Sequence, residues 1–185
     1  MTAQREYPDE PVGPFEEPPL TIHDVDFGEI SIDRMSGTEP GVVDSLVAMY
    51  ADFDSADRAQ GLPPVKRPAI EDWLDVLLER GPDIVALNGD RVVGHATLVP
   101  DNDGAYELAI FVHQDFRGIG IGTALLETLL GSAAAAGIDR IWLTVERWNS
   151  VAIRLYKSVG FERTGGGSFE LEMSLRLDTQ TASTG

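Results

Sequence analysis

The chain has 185 residues, 43% of them hydrophobic, enough for one domain of ordinary size with a packed core. It carries 31 Asp and Glu against 14 Lys and Arg, a formal charge of −17, so nucleic-acid phosphates are disfavoured as partners. It contains no cysteine, which excludes disulfides, thiolate metal sites and a cysteine nucleophile, and no run approaches the ~20 apolar residues that span a bilayer.

Lysine is confined to Lys66 and Lys157. An acid excess spread through the whole sequence, with so little lysine, is similar to proteins of halophiles that keep concentrated salt inside the cell. The polar N-terminus does not read as a signal peptide, so the expected compartment is the cytoplasm, without a membrane partner.

Residues 1–27 hold Pro8, Pro11, Pro14, Pro18 and Pro19, with Glu6, Asp9, Glu10, Glu16 and Glu17 between them. That composition predicts a flexible or extended acidic arm, from which Phe15, Leu20 and Ile22 can lie against the domain. The domain is expected over 28–178, and a polar tail over 179–185. Ile30 to Arg34 reads as a first strand. Thr38 then caps a helix with Pro40 in its first turn and Val43, Leu46, Val47, Tyr50 and Phe53 on one face. After a proline-containing loop over 58–68, a second helix places Ile70, Trp73, Leu74, Leu77 and Leu78 on one face, and Gly81-Pro82 stops it.

Ile84–Leu87 and Val92–Val99 read as strands joined by the hairpin signal Asn88-Gly89-Asp90. A second turn, Asp101 to Gly104, leads into the strand Tyr106–Val112. Leucines at helical spacing predict a helix over Thr123–Ala136, ended by Gly137, and Arg140–Val145 is another strand. Asn149 suits the N-cap of a further helix and Gly160 its C-terminal stop; Phe169–Leu177 alternates into a last strand. The order β-α-α-β-β-β-α-β-α-β is mixed α/β in a single domain.

The chain is organised around Tyr106 to Thr123: a buried strand, then the glycines 118, 120 and 122, then a helix start. Glycines let backbone approach a ligand, and the free N–H groups of a helix's first turn face negative charge, so a phosphate or pyrophosphate is the natural guest. Three signatures compete. A P-loop fails for want of a lysine beside these glycines. A dinucleotide fingerprint, which would make an NAD(H)-binding oxidoreductase, has Leu125 where its third glycine belongs and follows antiparallel strands. The third, Val112-x-x-x-x-Arg117-x-x-Gly120-x-Gly122, resembles the acyl-CoA pyrophosphate loop of the GNAT superfamily of N-acyltransferases. Asn149-Ser150-Val151-Ala152-Ile153-Arg154-Leu155-Tyr156-Lys157-Ser158-Val159-Gly160-Phe161 resembles the second signature of the same superfamily, NxxAxxLYxxxGF.

That resemblance implies a GNAT fold, with a mostly antiparallel central sheet flanked by helices, and transfer of an acetyl group from acetyl-CoA to a primary amine (a small amine, a protein N-terminus or a lysine) by direct attack. It implies cofactor contacts at Phe111, Val112, Arg117, Gly118, Ile119, Gly120, Ile121, Gly122, Thr123 and Asn149, with the Val112 N–H on the thioester carbonyl. Tyr156 falls where the family protonates the leaving thiolate, although Ala152, Leu155, Tyr156 and Val159 also form a helical stripe that core packing alone would explain. Glu107 falls where some members place the base; a solvated strand-end carboxylate is the alternative, and His95 is the next base candidate. Arg117 and Arg147 are available to screen phosphates. His23, His95 and His113 lack metal-ligand spacing, so no metal is expected. A non-catalytic acyl-CoA-binding module, the oxidoreductase and a homodimeric assembly stay open. The acceptor has no readable code.

Overall fold

The computed structural model describes residues 4–35, 40–58, 62–78 and 80–179. Strands β1 (Leu20–Asp24) and β2 (Gly28–Arg34) come first, followed by helices α1 (Pro40–Ala51) and α2 (Arg67–Leu77). Next are β3 (Asp83–Asn88), β4 (Arg91–Pro100) and β5 (Tyr106–Val112), then α3 (Ile121–Ala135) and β6 (Arg140–Glu146). Helix α4 (Ser150–Val159) and strands β7 (Glu162–Gly166) and β8 (Glu170–Arg176) complete the fold. The eight strands form one sheet in the order β1-β2-β3-β4-β5-β6-β8-β7. Every neighbouring pair is antiparallel except β5 and β6, which are parallel because α3 crosses between them. The mixed α/β architecture is the one the sequence predicts.

Two apolar layers enclose the sheet. Helix α3 is buried along most of its length (Leu125, Leu126, Leu129, Leu130), and packs on Ile84, Ala96 and Leu98. The contact with β4 is so close that a Cβ at Gly94 would lie 2.9 Å from Leu125 Cδ1, which only glycine avoids. On the other face, Leu46, Val47 and Tyr50 of α1 and Ile70 and Leu74 of α2 cover Val85 and Val92. Helix α2 shows why it sits at the surface: Ile70 and Leu74 are buried while Glu71, Asp72 and Asp75 are exposed. The expected cap Thr38 lies outside the described residues.

Of the stretch expected as a flexible or extended arm, residues 4–27 are described, and parts of them are docked on the domain. Leu20 to Asp24 pairs with β2 as an edge strand, and Asp24 Oδ1 accepts from the Asp26 and Phe27 N–H groups to close the turn. Upstream, the Val12 N–H donates to Arg176 O (2.8 Å), and the Asp178 N–H donates to Val12 O (2.9 Å). Backbone from Phe15 to Glu16 crosses α3 at Gly131, where a Cβ would collide with the Glu16 carbonyl. Prolines prevent helix but not docking on a sheet edge whose N–H and C=O groups require partners. Strand β7, Glu-Arg-Thr-Gly-Gly, is likewise absent from the sequence pattern, since it forms only by pairing with β8. No helix among the described residues is long and apolar enough to cross a membrane.

Candidate active site

The sheet opens between its two parallel strands. β5 and β6 pair only at Tyr106 with Ile141 and at Glu107 with Trp142, then diverge. The His113 N–H donates to Val93 O at 2.9 Å, so position 113 is a hydrogen-bonded pair with β4. By antiparallel alternation, the N–H and C=O groups of Val112 and Ile110 then point the other way, into the gap towards β6. Arg117 Nε and Nη2 donate to Val112 O at 3.3 and 3.1 Å, leaving the Val112 N–H facing the opening. Phe111 does not join it. Its backbone faces β4 opposite His95, and its ring packs edge-on against Tyr50 and Trp73 at 5.3 and 5.7 Å. The one-residue alternation of a strand separates these neighbours.

Beyond β5, a single 3-10 turn over Gln114–Phe116 leads into the glycines. His113 Nδ1 accepts from the Asp115 N–H (3.1 Å), so its proton sits on Nε2 and is donated to Asp52 Oδ2 (2.7 Å). The pair locks the entry of the loop. Gly118 and Gly120 have φ of 79° and 96°, a left-handed backbone that side chains resist, and a Cβ at either would meet nothing within 4 Å. The loop is therefore open on its outer side. Helix α3 makes its first backbone bond from Ala124 N–H to Gly120 O (3.1 Å), so the N–H groups of Ile121, Gly122 and Thr123 project from the helix end. Ile119 is half-buried against the core, which leaves its backbone to the loop. Gly118 to Thr123 thus gather at one helix end beside the gap, with N–H groups of the kind that can face an anion.

Helix α4 borders the gap from the α3 side. Asn149 Oδ1 accepts from the Ala152 N–H (3.2 Å) and caps it. Arg147 donates through Nε and Nη2 to Gly167 O (2.9 and 2.7 Å), tying the β7–β8 turn to the start of α4. The Tyr156 ring packs edge-on to Phe161 at 5.8 Å, and burial raises its phenol to about 12. Its hydroxyl has no hydrogen-bond partner among the described residues, and is not among the fully buried polar atoms that lack one. Tyr156 thus packs with the core by its ring while its hydroxyl makes no hydrogen bond among the described residues.

Glu107 projects from the opposite face, in phase with Phe111, at the last paired position before the strands separate. Burial holds its carboxyl above the ordinary range; the Arg5 charge opposes that, and Asp101 and Glu172 add to it. These neighbours carry no sequence signal. Arg5 donates to both Glu172 oxygens at 2.9 and 3.3 Å, and its guanidinium lies 3.5 Å above the Trp142 ring. Burial also pushes Asp101 up. Backbone N–H bonds from Asp103 and Ala105, the Trp142 N–H and the Arg5 charge outweigh that and hold its carboxyl low.

His95 is fully buried and saturated. Burial holds the Tyr50 phenol well above its ordinary value, so Tyr50 donates to His95 Nδ1 at 2.6 Å, and His95 Nε2–H donates to Asp83 at 2.7 Å. With both ring nitrogens engaged in a sealed layer, His95 has no lone pair for a substrate. The described residues include no group of three or more His, Asp or Glu able to hold a metal. The antiparallel strands ahead of the glycines exclude the dinucleotide fold, whose loop follows the first strand of a parallel unit.

Comparison with known proteins agrees with this layout. An uncharacterised N-acetyltransferase of Mycobacterium tuberculosis is 34% identical over 89 residues, covering 48% of this chain and 57% of that protein. The chain thus spans little more than half the length of that relative. The L-methionine sulfoximine/L-methionine sulfone acetyltransferase of Pseudomonas aeruginosa is 28% identical over 137 residues, covering 69% of this chain and 80% of that protein. The solved structure of yncA from Salmonella typhimurium, with its cofactor acetyl-CoA, covers 80% of this chain and 94% of that chain with a TM-score of 0.62; at 22% identity it speaks to the fold. A family model described as "Acetyltransferase (GNAT) family" matches residues 46–161, more than half of the sequence, and the chain belongs to that family.

Proposed function

We propose that the protein is an N-acetyltransferase that moves an acetyl group from acetyl-CoA to a primary amine by direct attack. The observation that carries this reading is the gap between β5 and β6, with the Val112 N–H on its edge and an open glycine helix end at its mouth. The three N–H groups at the start of α3 suit a pyrophosphate, and the gap suits an extended amide chain that borrows strand hydrogen bonds. The reading places the protein with acetyl-CoA in the cytoplasm.

The residues then divide the chemistry. The Val112 N–H polarises the thioester carbonyl and stabilises the oxyanion, a role worth about 3 kcal/mol in comparable sites. Glu107, on one face of the gap, takes the proton of the attacking amine, directly or through water, as the C–N bond forms. Tyr156, on the other face, gives its proton to sulfur as the C–S bond breaks. Free coenzyme A and the amide leave, and solvent returns the proton from Glu107 to Tyr156. Burial that raises the phenol acts in the same direction on a thiolate shielded from water at that site. A silent acyl-CoA binder would need neither Glu107 nor a free Tyr156 hydroxyl.

Calorimetry tests the cofactor. Wild type should bind acetyl-CoA and not NADH, while Gly120→Glu should bind neither, because it places a strained, charged side chain at the loop. Equal acetyl-CoA binding by both proteins would remove the loop from the site. Thiol release from acetyl-CoA in the presence of amines then reads the transfer itself.

A further inference from the structure

Helices α1 and α2 cover one face of β3–β5. Over β6 and β8 the same face is covered by residues 5–9, and Val12 pairs at the end of β8 beyond them. That segment is fastened through its backbone: Ser174 Oγ–H donates to Glu6 O (2.8 Å), Arg176 Nη1 donates to Asp9 O (2.9 Å), and Val12 bridges to Leu177. Ahead of these bonds stands the Arg5 side chain, which also interacts with Tyr7 of the same segment. The guanidinium enters a recess where Glu172 takes it in a fork, Asp101 Oδ2 lies 3.6 Å from Nη1, and Trp142 forms the floor. Trp142 is itself held by its N–H bond to Asp101 (2.9 Å), so the aromatic surface is fixed in advance. Glu107 stands opposite Trp142 in the register, where the gap begins.

Two carboxylates, an oriented indole face and partial exclusion of water are what an organic cation requires for recognition. Here a cation is seen in place. It comes from a side chain outside the sheet and helices, and it lies beside the carboxylate that faces the acceptor. We propose that Asp101, Glu107, Trp142 and Glu172 form a cation subsite of the acceptor pocket, which Arg5 fills as an internal competitor. The acceptor is a small molecule with a guanidinium or second ammonium group a short chain away from its reacting amine. It is small because residues 6–12 stay bonded along β8 and already occupy the surface beside the subsite. This inference rests on the acetyl-transfer reading for the fate of the amine, and not for the binding of the cation.

Agmatine, a primary amine and a guanidinium joined by a butyl chain, is the probe, titrated by calorimetry into the full chain without acetyl-CoA. Arg5→Ala should bind it about ten-fold tighter than wild type or better, because an internal occupant lowers apparent affinity by the fraction of time the subsite is open. Arg5→Lys, which still supplies a cation, should stay near wild type, and adding Glu172→Gln to Arg5→Ala should erase the gain. Where Arg5→Ala melts early, Arg5→Met keeps an unbranched stem on Trp142 and repeats the test. Equal agmatine affinity in wild type and the Arg5 variants, or none in either, overturns the proposal. Acetyl-CoA is titrated separately. If agmatine binding depends on Arg5 but acetyl-CoA does not bind, the transfer reading falls and the subsite stands; the opposite pattern sinks the subsite and leaves the transfer reading.

Discussion

Two polar clusters lie on the same face of one sheet, and they differ in whether their hydrogen-bonding capacity is used up. Tyr50, His95 and Asp83 sit beneath α1 and α2, each below 10% exposed, with both histidine nitrogens bonded. Glu107, Asp101, Glu172 and Arg5 lie where β5 and β6 part, with side chains of Arg5 and Glu172 still 23% and 24% exposed. The first resembles a catalytic relay and is structure, because a sealed group with every partner in place has nothing left to offer a substrate. The second is reachable, and its charges can be exchanged for those of a ligand. A histidine in a strand and a glutamate in a strand are ranked by their surroundings and not by their usual chemistry.

The largest effects should come from the residues assigned to proton transfer. Tyr156→Phe should lower turnover by about 10²–10⁴, the usual worth of a positioned acid, with little change in acetyl-CoA affinity. Glu107 is a base only when ionised, and its carboxyl is held above the ordinary range, so the rate should rise with pH through a value above that of a free glutamate. Glu107→Gln should flatten that limb and recover part of its lost rate at high pH, where the amine is already neutral. A loss equal at every pH would assign Glu107 to binding or packing. The raised carboxyl has a stability consequence too. The folded chain keeps this proton more tightly than the unfolded one, so the contribution is full below the unfolded value and fades as pH rises through the folded one; Glu107→Gln should remove that decline.

The buried cluster should respond in the opposite manner. His95→Ala strands the Asp83 carboxylate and the Tyr50 hydroxyl in an apolar layer, and should cost about 3 kcal/mol or more of stability, read as a lower denaturant midpoint. The folded fraction should keep the wild-type pH–rate profile. A lost acidic limb in a stable His95→Ala protein would reverse the assignment of the two clusters.

Smaller effects separate the clusters by their exposure. Arg5 lowers the Glu107 carboxyl, so Arg5→Ala should move the acidic limb to higher pH, whereas a purely structural tether would leave it in place. Salt acts on the chain as a whole. We propose that the −17 charge is an adaptation to concentrated salt, in which case the melting temperature should climb with potassium chloride. Charge screening is largely complete by about 0.5 M, so gains continuing above that concentration would come from specific ions or hydration. A melting temperature flat from about 0.1 to 3 M would rule this out.

What the sequence by itself determined is whatever depends on neighbours along the chain. Gly118 and Gly120 mark a left-handed backbone that a local residue choice must satisfy, Asn149 and Gly160 mark the ends of one helix, and leucine spacing marks α3. The Val112–Gly122 and Asn149–Phe161 motifs were legible for the same reason, and they identified the family. Tertiary structure alone decided the rest. β1 and β7 form because a sheet edge offers backbone partners, and neither Leu-Thr-Ile-His-Asp beside two prolines nor Glu-Arg-Thr-Gly-Gly advertises that. Strand alternation, set by pairing with β4, turned Val112 to the gap and Phe111 away from it. Arg5 meets Glu172 across 167 residues. No local energy records such a contact, since burial, saturation of hydrogen bonds and the meeting of distant charges exist only once the chain has closed on itself.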